Sequence, residues 1–146
     1  MKITIEEINY NSQHFNDLVN LELMLWPDNE YNELFNETKD TKDFYFGAIY
    51  NNTLIAFIQL SIRNDYVNGS TTSPVGYVEG LYVIKEYRNK GIARKLIENS
   101  YCFLKEKGCN EIASDVETEN IVSQKFHEKM GFTETEKVVC YIKRLN

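Results

Sequence analysis

Residues 2–8 alternate apolar and polar side chains, the period of a strand with one buried face. At Ser12 the period changes. Phe15, Leu18, Val19, Leu21, Leu25 and Trp26 recur at helical spacing until Pro27, which has no amide hydrogen to continue the ladder. A second, acidic helix is expected over about residues 29–39. Residues 44–50 and 53–62 read as two strands joined at Asn51-Asn52, a pair that tolerates positive φ. Residues 64–74 (NDYVNGSTTSP) are rich in turn formers and predict a loop.

Residues 75–84 are apolar and β-branched enough for a long strand. A helix then carries Ala93, Leu96, Ile97, Tyr101 and Leu104 on one face and ends at Gly108. Residues 111–115 predict a short strand, 119–130 a helix and 132–144 a final strand. The order βααβββαβαβ describes one mixed α/β domain over residues 1–146, with no repeat, linker or low-complexity tract.

Composition narrows the class. A chain of 146 residues can bury roughly 70% of the surface exposed when unfolded, so one core suffices. The net charge of −6 speaks against nucleic acid, which needs clustered Lys and Arg. The acids cluster instead: Asp28, Glu30, Glu33, Glu37 and Asp40 in one segment, Asp115, Glu117 and Glu119 in another. Lining one cleft, they would concentrate a cationic ligand; spread over the surface, they keep a small domain soluble. The three cysteines have no paired spacing and read as reduced thiols. The opening MKITIEEINYNSQ has no apolar stretch of signal-peptide type, and no run reaches membrane-span length. The expectation is a cytoplasmic protein without a membrane segment.

The most specific chemical signal follows the long strand. Arg88-x-x-Gly91-x-Ala93 opens a helix whose first N–H groups have no internal partners and carry partial positive charge. Glycine there lets an anion approach the backbone, and successive amides form a nest suited to a pyrophosphate. Arg88, Lys90, Arg94 and Lys95 make the region basic. A plain strand-to-helix turn with a solvated basic face fits the same residues. The Walker ending and the full GxGxxG are absent, so nucleotide hydrolysis and NAD binding fit less well.

Val83-x-x-x-Tyr87-Arg88-x-x-Gly91-x-Ala93 resembles the acetyl-CoA-binding motif of the GNAT superfamily, with Ala93 the permitted variant at its last position. Asn120-x-x-Ser123-x-x-Phe126-His127-x-x-x-Gly131-Phe132 resembles a second motif of that family. The resemblance covers essentially the whole chain. It implies the GNAT fold, a central, mostly antiparallel mixed sheet flanked by helices, with acetyl-CoA as co-substrate. By the same resemblance, the backbone from Arg88 through Asn89, Lys90, Gly91, Ile92 and Ala93 to Arg94 would hold the CoA pyrophosphate. Leu81, Tyr82 and Val83 would line the pantetheine arm, and Asn120 would contact it or cap its own helix.

Acetyl transfer to an amine requires that the amine lose a proton and that the carbonyl oxygen be stabilised; the leaving thiolate then takes a proton. No Ser-His-Asp or Cys-His set is visible, which favours direct attack. Glu79, inside Gly76-Tyr-Val-Glu-Gly-Leu-Tyr-Val, is the base candidate. An unpartnered carboxylate in a strand is desolvated, and Gly80 opens space beside it. A strand residue facing solvent is the alternative. His127 occupies the place of a tyrosine that protonates the thiolate in many relatives; it also fits a half-buried helix position. Two histidines and scattered cysteines suggest no metal site.

For the acceptor, Ser61-Ile-Arg-x-Asp65-Tyr66, Leu25-Trp26-Pro27, Ala113-Ser114-Asp115 and Gly131-Phe132-x-Glu134 resemble one subgroup, the aminoglycoside 6'-N-acetyltransferases. Trp26, Tyr66, Glu79 and Asp115 are its implied substrate residues, suited to sugar faces and ammonium groups. Each also has a packing or turn role open to it. A polyamine, another small amine or a protein lysine is the rival acceptor. A non-catalytic acyl-CoA-binding module and a structural interaction domain are rivals of other classes. A homodimer is implied by resemblance alone.

Overall fold

Strands β2 (Phe44–Tyr50) and β3 (Thr53–Arg63) are apolar on both faces, and the computed structural model, which describes all 146 residues, shows a helix against each. Phe46, Ala48, Ile58 and Leu60 meet Leu96, Ile97 and Leu104 of α3 (Ile92–Glu106). The alternate residues Tyr45, Ile49, Leu54 and Phe57 meet Leu18 and Leu21 of α1 (Phe15–Leu25). The turn between the strands has φ of 49° at Asn51 and 61° at Asn52, the left-handed pair that matches strand twist. α2 (Tyr31–Asp40) joins α1 through Phe15, Val19 and Leu34.

The sheet runs β1-β2-β3-β4-β5, with β1 (Thr4–Glu7) at one edge and β5 (Ile112–Ser114) at the other. Every pair is antiparallel except β4 (Val75–Val83) with β5, which α3 connects. α4 (Ile121–Lys129) follows β5. Glu111 anchors the loop of residues 64–74: its carboxylate accepts from the Thr71 amide at 3.0 Å, the Thr72 amide at 2.8 Å and the Thr72 hydroxyl. Those bonds, the Thr72 hydroxyl first, hold its pKa below the usual carboxylate range.

One expected element is not there. The strand predicted over residues 132–144 does not form: residues 133–146 are all exposed, lie outside every helix and strand, and make no backbone hydrogen bond. Strand-forming side chains are present, but a strand also needs a paired edge, and past Phe132 the segment leaves its own sheet. The observed order is therefore βααβββαβα. All three cysteines are free, and no helix is long and apolar enough to cross a membrane.

Candidate active site

A β-bulge aims Glu79. In the β3–β4 ladder Gln59 faces Gly80 and Leu60 faces Val78, so Glu79 has no opposite residue. On one side of it β4 loses its other neighbour as well. Gly76, Tyr77 and Val78 pair with Ile112, Ala113 and Ser114, and there the β4–β5 ladder ends while β4 runs on to Val83. The strands part at Glu79, and beyond it the backbone groups of Leu81 and the amide of Val83 face the open side towards β5.

Below that slot, the chain turns through a 3-10 segment (Lys85–Tyr87) into α3. Asn89 has φ of 63° and Gly91, the N-cap, φ of 79°. The first helical bond of α3 is from Lys95 to the Gly91 carbonyl, so the N–H groups from Asn89 through Lys90, Gly91, Ile92 and Ala93 to Arg94 have no partner in the chain. A Cβ on Gly91 would meet nothing within 4 Å, so a side chain there would project into open space. A run of unpartnered amides thus opens α3, the kind of turn in which successive N–H groups can face an anion. The Arg88 side chain, however, turns back: its Nε donates to the Val83 carbonyl at 2.8 Å, fixing the strand to the turn. Arg94 pairs with Glu98 at 3.6 Å on the exposed helix face.

Glu79 is not the unpartnered carboxylate anticipated. Its Oε2 accepts from the Ser61 hydroxyl at 2.5 Å and from Arg63 Nη2 at 2.9 Å. The Arg63 guanidinium lies 3.4 Å from the centre of the Tyr77 ring, and the Tyr77 hydroxyl donates to Asp115 at 2.5 Å. Burial, then the Asp115 hydrogen bond and charge, push the Tyr77 phenol up to about 12. Partial burial works against the Arg63 charge, but the bond and charge of Glu79 outweigh it and raise its pKa. Space beside Gly80 is also filled. Trp26 ends α1 with its ring over β4, and a Cβ on Gly80 would lie 2.6 Å from indole Cη2.

Thus Trp26 lies over Gly80, next to Glu79, and Asp115 is bonded to Tyr77, two residues before it on β4. Tyr66 does not join them. It is 77% exposed, and its hydroxyl pairs within its own loop, donating to Asn68 and accepting from the Gly69 amide. Asn120 caps α4 through Oδ1, which accepts from the Ser123 amide at 3.1 Å. His127 Nδ1 lies 2.8 Å from the Ser123 carbonyl and so carries a proton, and Nε2 lies 2.9 Å from Ser114 Oγ.

Sequence reasoning assigned no role to Arg63, Ser61, Tyr77 or Glu22. Ser61 and Arg63 did carry a signal, two polar residues at alternate positions ending an apolar strand. Glu22 carried none, because it sits within the apolar face of α1. It is 1% exposed and lines a polar cavity of about 270 Å³ with Trp26, Glu37, Thr38, Tyr45 and Gln59. Burial pushes its carboxyl up to about 7, against the lowering effect of hydrogen bonds from Thr38 and Tyr45. No three His, Cys, Asp or Glu side chains gather into a metal-binding group.

Residues 11–132 match the model of the Acetyltransferase (GNAT) family. The chain is 46% identical over 99 residues to the aminoglycoside N(6')-acetyltransferase type 1 of Salmonella typhimurium, covering 68% of each. It is 38% identical over 133 residues to the protein of the same name from Acinetobacter haemolyticus, covering 89% of this chain and 92% of that one. Among solved structures, AAC(6')-Iy in complex with the bisubstrate analogue CoA-S-monomethyl-acetylneamine superposes with a TM-score of 0.88 at 36% identity, over 99% of this chain and 100% of that one.

Proposed function

The chain belongs to the GNAT acetyltransferase family, and from that premise we propose that it transfers the acetyl group of acetyl-CoA to the 6'-amine of aminoglycoside antibiotics, so conferring resistance. The observation that carries this reading is the position of Glu79: it lies where β4 and β5 part, beside Trp26 and Asp115, at the far end of a slot that starts at the amide cradle. The named relatives, matched along most of the chain, act on this acceptor by name.

Acetyl-CoA supplies an acyl carbon already activated as a thioester. The amides from Asn89 to Arg94 take the pyrophosphate; the open backbone groups of Leu81 and the Val83 amide take the pantetheine arm and polarise the carbonyl oxygen, with the Tyr82 side chain beside them. With its Oδ1 committed to the cap, Asn120 retains its amide N–H groups for the same arm. Trp26 offers a flat face to a sugar ring, Asp115 a carboxylate to an ammonium, and Tyr66 an exposed ring on the loop that follows β3. Glu79 removes the proton from the attacking amine, directly or through a water. His127 protonates the thiolate from Nε2 when doubly protonated; in its neutral form that nitrogen only accepts.

The 146 residues act as one domain, in the cytoplasm, where acetyl-CoA is made and free thiols stay reduced. The partner assigned to residues 133–146 is a second copy of this chain. Val138, Val139, Tyr141, Ile142 and Leu145 are 64–95% exposed, and β5 is an edge strand with one free side. An exchanged tail paired beside β5 would satisfy the backbone and cover these side chains, giving a homodimer. The acceptor reading is tested by thiol release from acetyl-CoA in the presence of an aminoglycoside with a 6'-amine. Turnover with spermidine or a lysine peptide in its place favours the rival acceptors.

A further inference from the structure

β3 ends on Arg63, and the guanidinium at that end is held by the same groups that would receive an ammonium. Nη2 lies 2.9 and 3.2 Å from the two Glu79 oxygens and Nε lies 3.3 Å from Oε2. The cation covers the Tyr77 ring at 3.4 Å, and that ring's hydroxyl is bonded to Asp115. Two carboxylates and an aromatic face are a cation site. We propose that Arg63 is a resident cation of the acceptor cleft, occupying the ammonium position in the free enzyme and yielding it to the substrate.

This rests on the reading of the cleft as the acceptor site. Two positive charges at van der Waals distance repel, and Glu79 Oε2 already accepts from Ser61 and Arg63. A substrate ammonium therefore enters as Arg63 leaves. Departure is easy, because the Arg63 side chain is 42% exposed, next to the loop of residues 64–74, and exposed ion pairs are weak. The enzyme's apparent affinity is lowered by the fraction of molecules in which the guanidinium is seated. Ligands with several ammonium groups, able to reach Glu79 and Asp115 together, displace it best.

Calorimetric titration of neamine and of spermidine into wild type, Arg63→Ala, Arg63→Gln, Arg63→Lys and Lys107→Ala tests this, with acetyl-CoA affinity and saturated turnover measured alongside. Removal of the guanidinium (Ala, Gln) is expected to tighten both ligands by about fivefold. Arg63→Lys, which keeps a cation, stays near wild type. Lys107→Ala removes a charge at the far end of α3 and changes nothing. Unchanged or weaker binding overturns the proposal, as does equal tightening in Lys107→Ala, which would be a net-charge effect. A fall in saturated turnover at unchanged affinity also overturns it, making Arg63 a positioning residue for Glu79. Absence of neamine turnover in wild type refutes the acceptor reading itself, and the spermidine titrations still decide the role of Arg63.

Discussion

The hydroxyl of Tyr45 donates a 3.0 Å hydrogen bond to Oε2 of Glu22, and both side chains are buried between α1 and the sheet. Burial raises the Glu22 carboxyl from 4.5 to about 7, so between those values the folded chain holds a proton that the unfolded chain has released. Stability from this group is thus fully present below about pH 4.5 and lost as pH rises through about 7. The loss is on the order of 2–3 kcal/mol. Glu22→Gln keeps the shape and cannot ionise. Urea unfolding of both proteins from pH 4.5 to 8 is expected to show Glu22→Gln gaining on wild type as pH rises; parallel curves would contradict the shift.

Gly91 has φ of 79° and an open face where a side chain would point. Gly91→Val puts a β-branched residue in the left-handed region, at roughly 1–2 kcal/mol, and fills the cradle. Acetyl-CoA affinity is expected to fall at least about tenfold in protein that still melts cooperatively. Normal affinity in folded Gly91→Val would remove the cradle from the site.

Glu79→Gln keeps the acceptor bonds available to Ser61 and Arg63 through one oxygen but cannot take a proton. Saturated turnover is expected to drop by about 10²-fold or more, with acetyl-CoA affinity unchanged. Wild-type turnover in the variant would assign the base elsewhere.

The strands and helices were legible because apolar periodicity records which faces are buried, and the cradle because Gly91 falls where a strand meets a helix. The surroundings of Glu79 were not. Alternation places Tyr77, Glu79 and Leu81 on one face, but the bulge moves Gly80 to face Gln59 and leaves Glu79 between the two sets. A one-residue insertion of this kind has no periodic signature. The fate of residues 133–146 was hidden for another reason: side-chain alternation signals strand propensity, whereas pairing depends on which edge is within reach.

That tail yields its own prediction. Ile142 is 95% exposed in the single chain, so Ile142→Asp is harmless to a monomer. If the tail beds on a second copy, the same change buries a charge, and dimer dissociation should strengthen by about tenfold or more. Sedimentation at several concentrations reads the difference. A monomeric wild type would contradict the exchange.

The central claim is tested most directly by acetyl-CoA-dependent thiol release with neomycin and paromomycin side by side, because they differ in an amine or a hydroxyl at the 6' position. The account predicts rapid release with neomycin and little with paromomycin. Equal release with both would move the reaction to another amine of the scaffold, and no release with either would contradict the assignment of aminoglycosides as the acceptor.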